Sequence, residues 1–278
     1  MIVFDPTKAA DLAAAGESNN PIVFWDSVAA SSGTLSTSIG TEVESAALSA
    51  TGTTYDAWIA TPSGANEAAL QLVLPSAQSL NCIAIAAHNI GTIGAQVRVQ
   101  YSTDSGGSWV DAGAGVVAPT DDRAILFYFD DFSSDYWRVF VNFASSDVEV
   151  AVAFWGNALT IPQRLYQGYR PPITPTNVML QSNVSQGGNL LGAAVTRQGS
   201  SFEASITYVD PTFIRGADFK GFMRHHNDGK GFFWAWRPTK YTEDIFYGWR
   251  EGNTISPSND GPKDLMAFGM GLRLYDDT

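Results

Sequence analysis

Apolar residues along the first half of the chain fall in short runs separated by polar, glycine-rich turns. The runs cover residues 21–25, 57–60, 69–75, 82–86, 97–101, 124–129, 136–141 and 148–155. About eight strands at this spacing predict a β-sandwich of jelly-roll type. Before them, the alanine-rich stretch predicts one short helix around Ala9–Ala15, stopped by Gly16. The second half predicts strands near 176–183, 190–198, 201–209, 231–237, 244–250 and 264–275. It also predicts one helix over 211–226, because Asp210 is a good N-cap, Pro211 suits the first helical position, and Phe219, Phe222 and Met223 share a face.

Between the halves, Pro162, Pro171, Pro172 and Pro175 oppose regular pairing and predict an extended arm displaying Arg164, Tyr166, Tyr169 and Arg170. The expected organisation is therefore a sandwich over 1–158, an arm over 159–175 and a second β domain with one helix over 176–278. One run in that second domain is apolar on both sides. Phe232, Trp234 and Trp236 alternate with Phe233, Ala235 and Arg237, so the strand must be covered on both faces, by a second sheet or by a neighbouring subunit.

Composition agrees with strands and tight turns. The 278 residues are 45% hydrophobic and only 16% charged, and Lys, Glu and Arg, the usual residues of helix surfaces, are scarce. Charge is unevenly spread: residues 1–162 hold 4 Lys and Arg against 17 Asp and Glu, a net of −13, and residues 163–278 hold 12 against 11, a net of +1. An acidic first domain has no basic stripe with which to replace phosphate counterions, which argues against a nucleic-acid partner. Cys82 is the only cysteine and reads as a small core residue, so neither an internal disulfide nor a thiolate metal cluster is expected. No apolar run approaches the length of a membrane span and no secretion signal opens the chain, so a soluble protein is expected.

Candidate chemistry is sparse. His225 and His226 are adjacent and lack the spacing of a helical metal site, and no nucleophile elbow, zinc-binding helix motif, phosphate loop or dinucleotide fingerprint occurs. Asp121–Asp122 and Asp130–Asp131 flank an apolar run at its turns, where solvated carboxylates are ordinary; a calcium site would draw on Asp130, Asp131 or Asp135. No enzyme activity and no cofactor are expected. For a saccharide ligand, Trp25, Tyr55, Trp58 and His88 supply stacking and polar groups. For subunit contacts, the candidates are Trp234, Trp236, Arg237, Tyr241 and Trp249, since aromatics and arginine dominate packed interfaces.

Two resemblances extend this reading. H-N-I-G at 88–91, V-R-V-Q-Y-S-T-D-S-G-G-S-W at 97–109 and Y-W-R-V-F-V at 136–141 resemble the galactose-binding-like, discoidin-type sandwich over roughly 20–157. Within it, residues 102–109 look like an Asp-box hairpin, in which Asp104 clamps its own turn. From Leu159 onward, R-L-Y-Q-G-Y-R-P, L-L-G-A-A-V-T-R-Q-G, D-P-T-F-I-R, F-F-W-A-W-R-P-T-K-Y and S-P-S-N resemble, in their order, the distal-tail and minor tail proteins of long-tailed bacteriophages. That resemblance implies a tail-tube-like, ring-forming β domain, often hexameric, stacked between tail tube and tip hub in a virion assembled in the host cytoplasm. The sandwich would hang outward as an accessory. The alternative is a carbohydrate-binding module for a host-surface glycan.

Overall fold

The computed structural model of the protein describes residues 1–278 except 114, 166–168, 173, 175 and 276–278, so the arm residues Tyr166 and Pro175 lie outside the described residues. The chain is mainly β. Its first strands are β1 Ile2–Phe4, β2 Ile22–Phe24, β3 Thr34–Ile39, β4 Thr41–Glu44, β5 Trp58–Thr61, β6 Ala68–His88, β7 Gln96–Ser102, β8 Val110–Asp111, β9 Ile125–Asn142 and β10 Val148–Gly156. Then come β11 Leu159–Thr160, β12 Asn177–Val184, β13 Leu190–Gly199, β14 Ser201–Val209, β15 Phe232–Ala235, β16 Ile245–Arg250, β17 Ser258–Asn259 and β18 Met266–Leu274. The α-helices are α1 Pro6–Ala14, α2 Val28–Ser31, α3 Pro211–Arg215 and α4 Ala217–Asn227.

Two long bent strands build the sandwich. The runs at 69–75 and 82–86 are one strand, β6, and those at 124–129 and 136–141 are another, β9. These strands pair in three stretches: Ala68–Val73 against Tyr136–Val141, Gln78–Leu80 against Phe132–Ser134 and Cys82–Ile85 against Ile125–Tyr128, with register shifts after Val73 and after Leu80. Pro75 lies within the first shift, where a residue without an N–H costs no ladder bond. The bend folds one sheet over itself. One wall holds β3, the start of β6, the end of β9, β7 and β8; the other holds β4, β5, β10, the end of β6, the start of β9 and β1. Leu70, Leu72, Phe127, Trp137, Val139 and Trp155 fill the space between them.

The second sheet runs β11-β2-β15-β16-β18-β14, with β17 beside β18. Its second strand comes from the segment that the hydrophobic pattern assigns to the sandwich: β2 pairs with β15, Val23 opposite Trp234. The two units consequently share a core. Cys82, Ala84, Leu126 and Phe154 on the outer side of one sandwich wall meet Phe24, Phe233, Ile245 and Tyr247. The rings of Phe154 and Phe233 sit edge to face with centroids 5.5 Å apart, and the Tyr247 hydroxyl donates to the Gly52 carbonyl at 2.5 Å. The other face of the sheet carries Val23, Phe232 and Trp234 against Phe202, Ile206, Phe268 and the α4 residues Phe219 and Phe222. The aromatic run is thus covered twice within one chain, by a sheet on one side and a helix on the other.

The helix expected over 211–226 is two helices. Asp210 accepts from the Thr212 N–H at 2.7 Å and Pro211 opens α3, but Gly216 is extended at ψ 155° and starts α4 afresh. Phe219 and Phe222 face the core as expected, with Met223 partly buried beside them. At Gly221 a Cβ would lie 2.6 Å from the Trp25 ring, so glycine sets how closely α4 approaches β2. The first helix begins three residues before the expected start, because Asp5 caps it through the Thr7 N–H at 2.8 Å and Pro6 occupies its first turn.

Candidate functional site

The four residues expected to stack a sugar do not converge. Trp58 is fully buried in the sandwich core and its indole donates to the Thr37 hydroxyl at 2.8 Å. Trp25 belongs to the other unit, packed on α4 with its ring 5.4 Å from that of His225. His88 is buried at the end of β6, Nδ1 accepting from the Ile90 N–H at 3.3 Å and Nε2 lying 3.0 Å from the Arg123 carbonyl oxygen. Burial lowers its pKa to about 4 against the nearby Asp122, so the imidazole is neutral and structural. Tyr55 stands alone at the surface, 93% exposed. Two of the four, Trp58 and His88, are buried among apolar residues, and Trp25 is partly buried.

The acidic candidates are likewise absorbed locally. Asp104 accepts from the Ser102 hydroxyl at 2.6 Å and the Ser108 N–H at 2.8 Å, and these bonds hold its carboxyl well below the usual range. That is a turn clamp, with Gly106 at φ 86° completing the turn. Asp121 pairs with Arg123 at 2.7 Å, and Asp122 accepts from the Thr92 N–H at 2.9 Å. Asp131 accepts from the Asn81 amide at 3.1 Å. Asp130, Asp131 and Asp135 are not gathered as calcium ligands: among the described residues no cluster of three or more His, Cys, Asp or Glu could hold a metal. No helix of the described residues is long and apolar enough to cross a membrane.

The interface candidates divide. Trp234 is a core residue, fully buried, with its indole donating to the Tyr169 hydroxyl at 3.2 Å. Trp236 is half-buried and stacks on the exposed Tyr241 with centroids 5.2 Å apart, while its indole donates to Asp244 at 2.7 Å. The Arg237 guanidinium lies 5.0 Å over the same ring. Trp249, half-buried on β16, sits opposite Arg273 of β18.

Two surfaces were not singled out from the sequence. The first is the hairpin β12–β13, whose strands pair only with each other among the described residues. Val178, Leu180, Val184, Leu190, Leu191 and Val195 are each 50–70% exposed along it. A two-stranded ribbon is marginally stable by itself, and apolar side chains in water aggravate that. Its legible signal is that residues 178–180 and 190–195 are apolar without the polar alternation of a half-covered strand.

The second is the outer face of the sandwich wall formed by β3, β6, β9, β7 and β8. Cross-strand pairing sets Asp111, Gln100, Arg138, Gln71 and Ser36 in one row across five strands. Beside it, Arg98 lies opposite Phe140. The guanidinium carbons of Arg98 and Arg138 lie 4.8 and 4.9 Å from the Phe140 ring, and Arg138 also lies 4.2 Å from the Trp109 ring. The Nε of Arg138 donates to Gln100 at 2.8 Å, and the Gln100 amide donates to Asp111 at 2.7 Å. Their sequence signal is slight: two arginines at outward positions of strands in an acidic domain.

No family model matches the sequence, and neither does any curated protein. The solved structures similar to the chain include carbohydrate-binding modules. The family 32 module of Clostridium perfringens NanJ, solved in complex with galactose, is 14% identical, with 50% of this chain and 99% of that one covered at a TM-score of 0.39. CpGH89CBM32-5 of Clostridium perfringens, in complex with GalNAc-β-1,3-galactose, is 11% identical, covering 47% and 99% at a TM-score of 0.40. The module of AlyQ, in complex with 4,5-unsaturated mannuronic acid, is 15% identical, covering 48% and 96% at a TM-score of 0.37.

Proposed function

We propose that the protein is a non-enzymatic structural subunit, joined through its hairpin to a second copy of the same chain in a ring at the tail tip of a long-tailed bacteriophage. The exposed apolar hairpin carries this reading. Covering six half-exposed Val and Leu side chains stabilises by roughly 5–9 kcal/mol, taking about half the value of full burial. Association costs about 4–15 kcal/mol, so one such contact is marginal and a closed ring, which gives every copy two, is the natural solution.

Charge supports a second copy as the occupant. The half that bears the hairpin is close to neutral at +1, so copies of it approach without repulsion, whereas the sandwich at −13 is best held apart on the outside. The Trp236–Tyr241 stack with Arg237 has the residue types of an interface anchor. The ordered sequence resemblance from Leu159 onward supports a tail tube and a tip hub as the neighbours above and below. The test is mass by light scattering over a wide concentration range, with micrographs of the same sample. Closed rings are expected; a monomer at every concentration, unchanged by Leu180→Ser with Leu190→Ser, would count against self-assembly.

A second reading concerns the sandwich alone: recognition of a host-surface glycan. The row of Arg138, Gln71 and Ser36 on a sheet face favours it, because guanidinium, amide and hydroxyl groups at strand spacing suit a hydroxyl-rich ligand. A glycan array with the whole chain tests it, and a silent array would reduce the sandwich to a spacer.

A further inference from the structure

We propose that the outer face of the sandwich wall is a binding site for the carboxylate of an acidic saccharide, a uronate, received by Arg138 and Arg98. The inference rests on the second reading and adds the substrate class and the residues.

Its basis is a stack of planar groups in the order Trp109, Arg138, Phe140, Arg98. Phe140 is 4% exposed, and the guanidinium carbons of Arg98 and Arg138 lie 4.8 and 4.9 Å over its ring. The bonds from Arg138 to Gln100 and from Gln100 to Asp111 fix the orientation further, using Nε and leaving the terminal nitrogens of Arg138 without a hydrogen-bond partner among the described residues. Arg98 Nε is buried and also lacks a hydrogen-bond acceptor; its nearest carboxylate oxygen is that of Asp111, 3.7 Å away. Two of the four Lys and Arg side chains in residues 1–162 therefore stand side by side, with Asp111 the one carboxylate in contact with either among the described residues, in a segment of net charge −13.

That arrangement is costly without a ligand. Burial, and then the neighbouring Arg98, lower the pKa of Arg138 to about 10, against the opposing fields of Glu67 and Asp111. A carboxylate bridging the two guanidinium groups would relieve the repulsion and give the terminal nitrogens of Arg138 an acceptor, because its two oxygens match the guanidinium fork. The rest of the face selects a saccharide over a protein carboxylate. Gln71 and Ser36 continue the row from Arg138, and five strands at about 4.8 Å spacing extend it to roughly 19 Å, the reach of an extended chain of sugar rings. The face offers hydrogen-bonding groups where the hairpin offers Leu and Val. It is an open strip, which suits a polymer laid along it.

The experiment is calorimetric titration of the full chain with de-esterified oligogalacturonate, its methyl ester, a neutral oligogalactose and poly-L-glutamate. Expected are binding of the acid form, at least about tenfold weaker binding of the ester, and about tenfold or greater loss in Arg138→Gln and in Arg98→Gln, consistent with loss of a charge-assisted bond. Arg138→Lys keeps the charge and loses the planar fork, and should fall between. Gln71→Ala leaves both arginines in place and weakens binding less, which guards against variants that merely unfold. Acid binding that survives both arginine substitutions overturns the assignment, as does equal binding of poly-L-glutamate. Binding of the neutral oligosaccharide alone overturns it while leaving saccharide recognition standing. Binding of none removes both.

Discussion

The sandwich and the hairpin β12–β13 are built from similar proportions of apolar residues and meet opposite fates. In the sandwich, two bent strands fold one sheet over itself, and Leu70, Phe127, Trp137 and Trp155 disappear between its walls. In the hairpin, Leu180, Leu190 and Leu191 have no second layer above them and stay 62–70% exposed. A strand buries its apolar face only if the chain returns to cover it. The first region closes its own core, and the second leaves an apolar surface that no other described residue covers.

Substitutions separate the two kinds of surface. The largest effect is expected from Trp234→Ala, which removes a fully buried indole between α4 and the second sheet and should cost about 3–5 kcal/mol by denaturant unfolding. If that variant instead kept its stability and lost only assembly, Trp234 would be an interface residue after all. Acid should act next, through the sandwich. The His88 pKa is lowered in the fold to about 4 from 6.5, so the folded state favours the neutral ring. Its contribution is complete above about pH 6.5 and is lost as pH falls towards 4, at most about 3 kcal/mol. His88→Asn should flatten the stability profile across that window. A smaller loss, about 1 kcal/mol, is expected for Asp210→Ala, which removes the cap of α3; thermal melts measure it. The smallest change in monomer stability belongs to Leu180→Ser with Leu190→Ser. Its melting temperature should scarcely move while the light-scattering mass falls to that of one chain, whereas a large loss of stability would mean that the hairpin already packs at home.

Several elements are legible in the sequence alone. The period-2 alternation of Phe232 to Ala235, aromatic on both faces, required two covers, and the structure supplies α4 on one side and the sandwich wall on the other. The Asp104 clamp and the Asp210 cap were readable because their partners lie within four residues. Polar strands were not: β3, with Thr34, Ser36, Thr37 and Ser38, and β4, with Glu42 and Glu44, have no apolar signature and form because the bent β6 and the edge of β5 present open hydrogen-bonding groups. The expected sugar residues lie apart for a related reason. Trp58 and His88 have side chains that serve equally well in a site or in a core, and only the packing decides between them.

Local chemistry along the chain was enough to specify a mainly β protein, the uneven charge, the helix caps, the turn clamp and the strand that needs covering twice. Those properties depend on neighbours within a turn or a strand. Tertiary structure alone decided that β2 leaves the sandwich segment to pair with β15, that two pairs of short runs are two long bent strands, and that Arg98, Arg138, Phe140 and Trp109 stack on one face. Each of these depends on which strands lie side by side. Pairing partners tens of residues apart are chosen by the closure of the whole core, a sum over contacts that no local pattern contains.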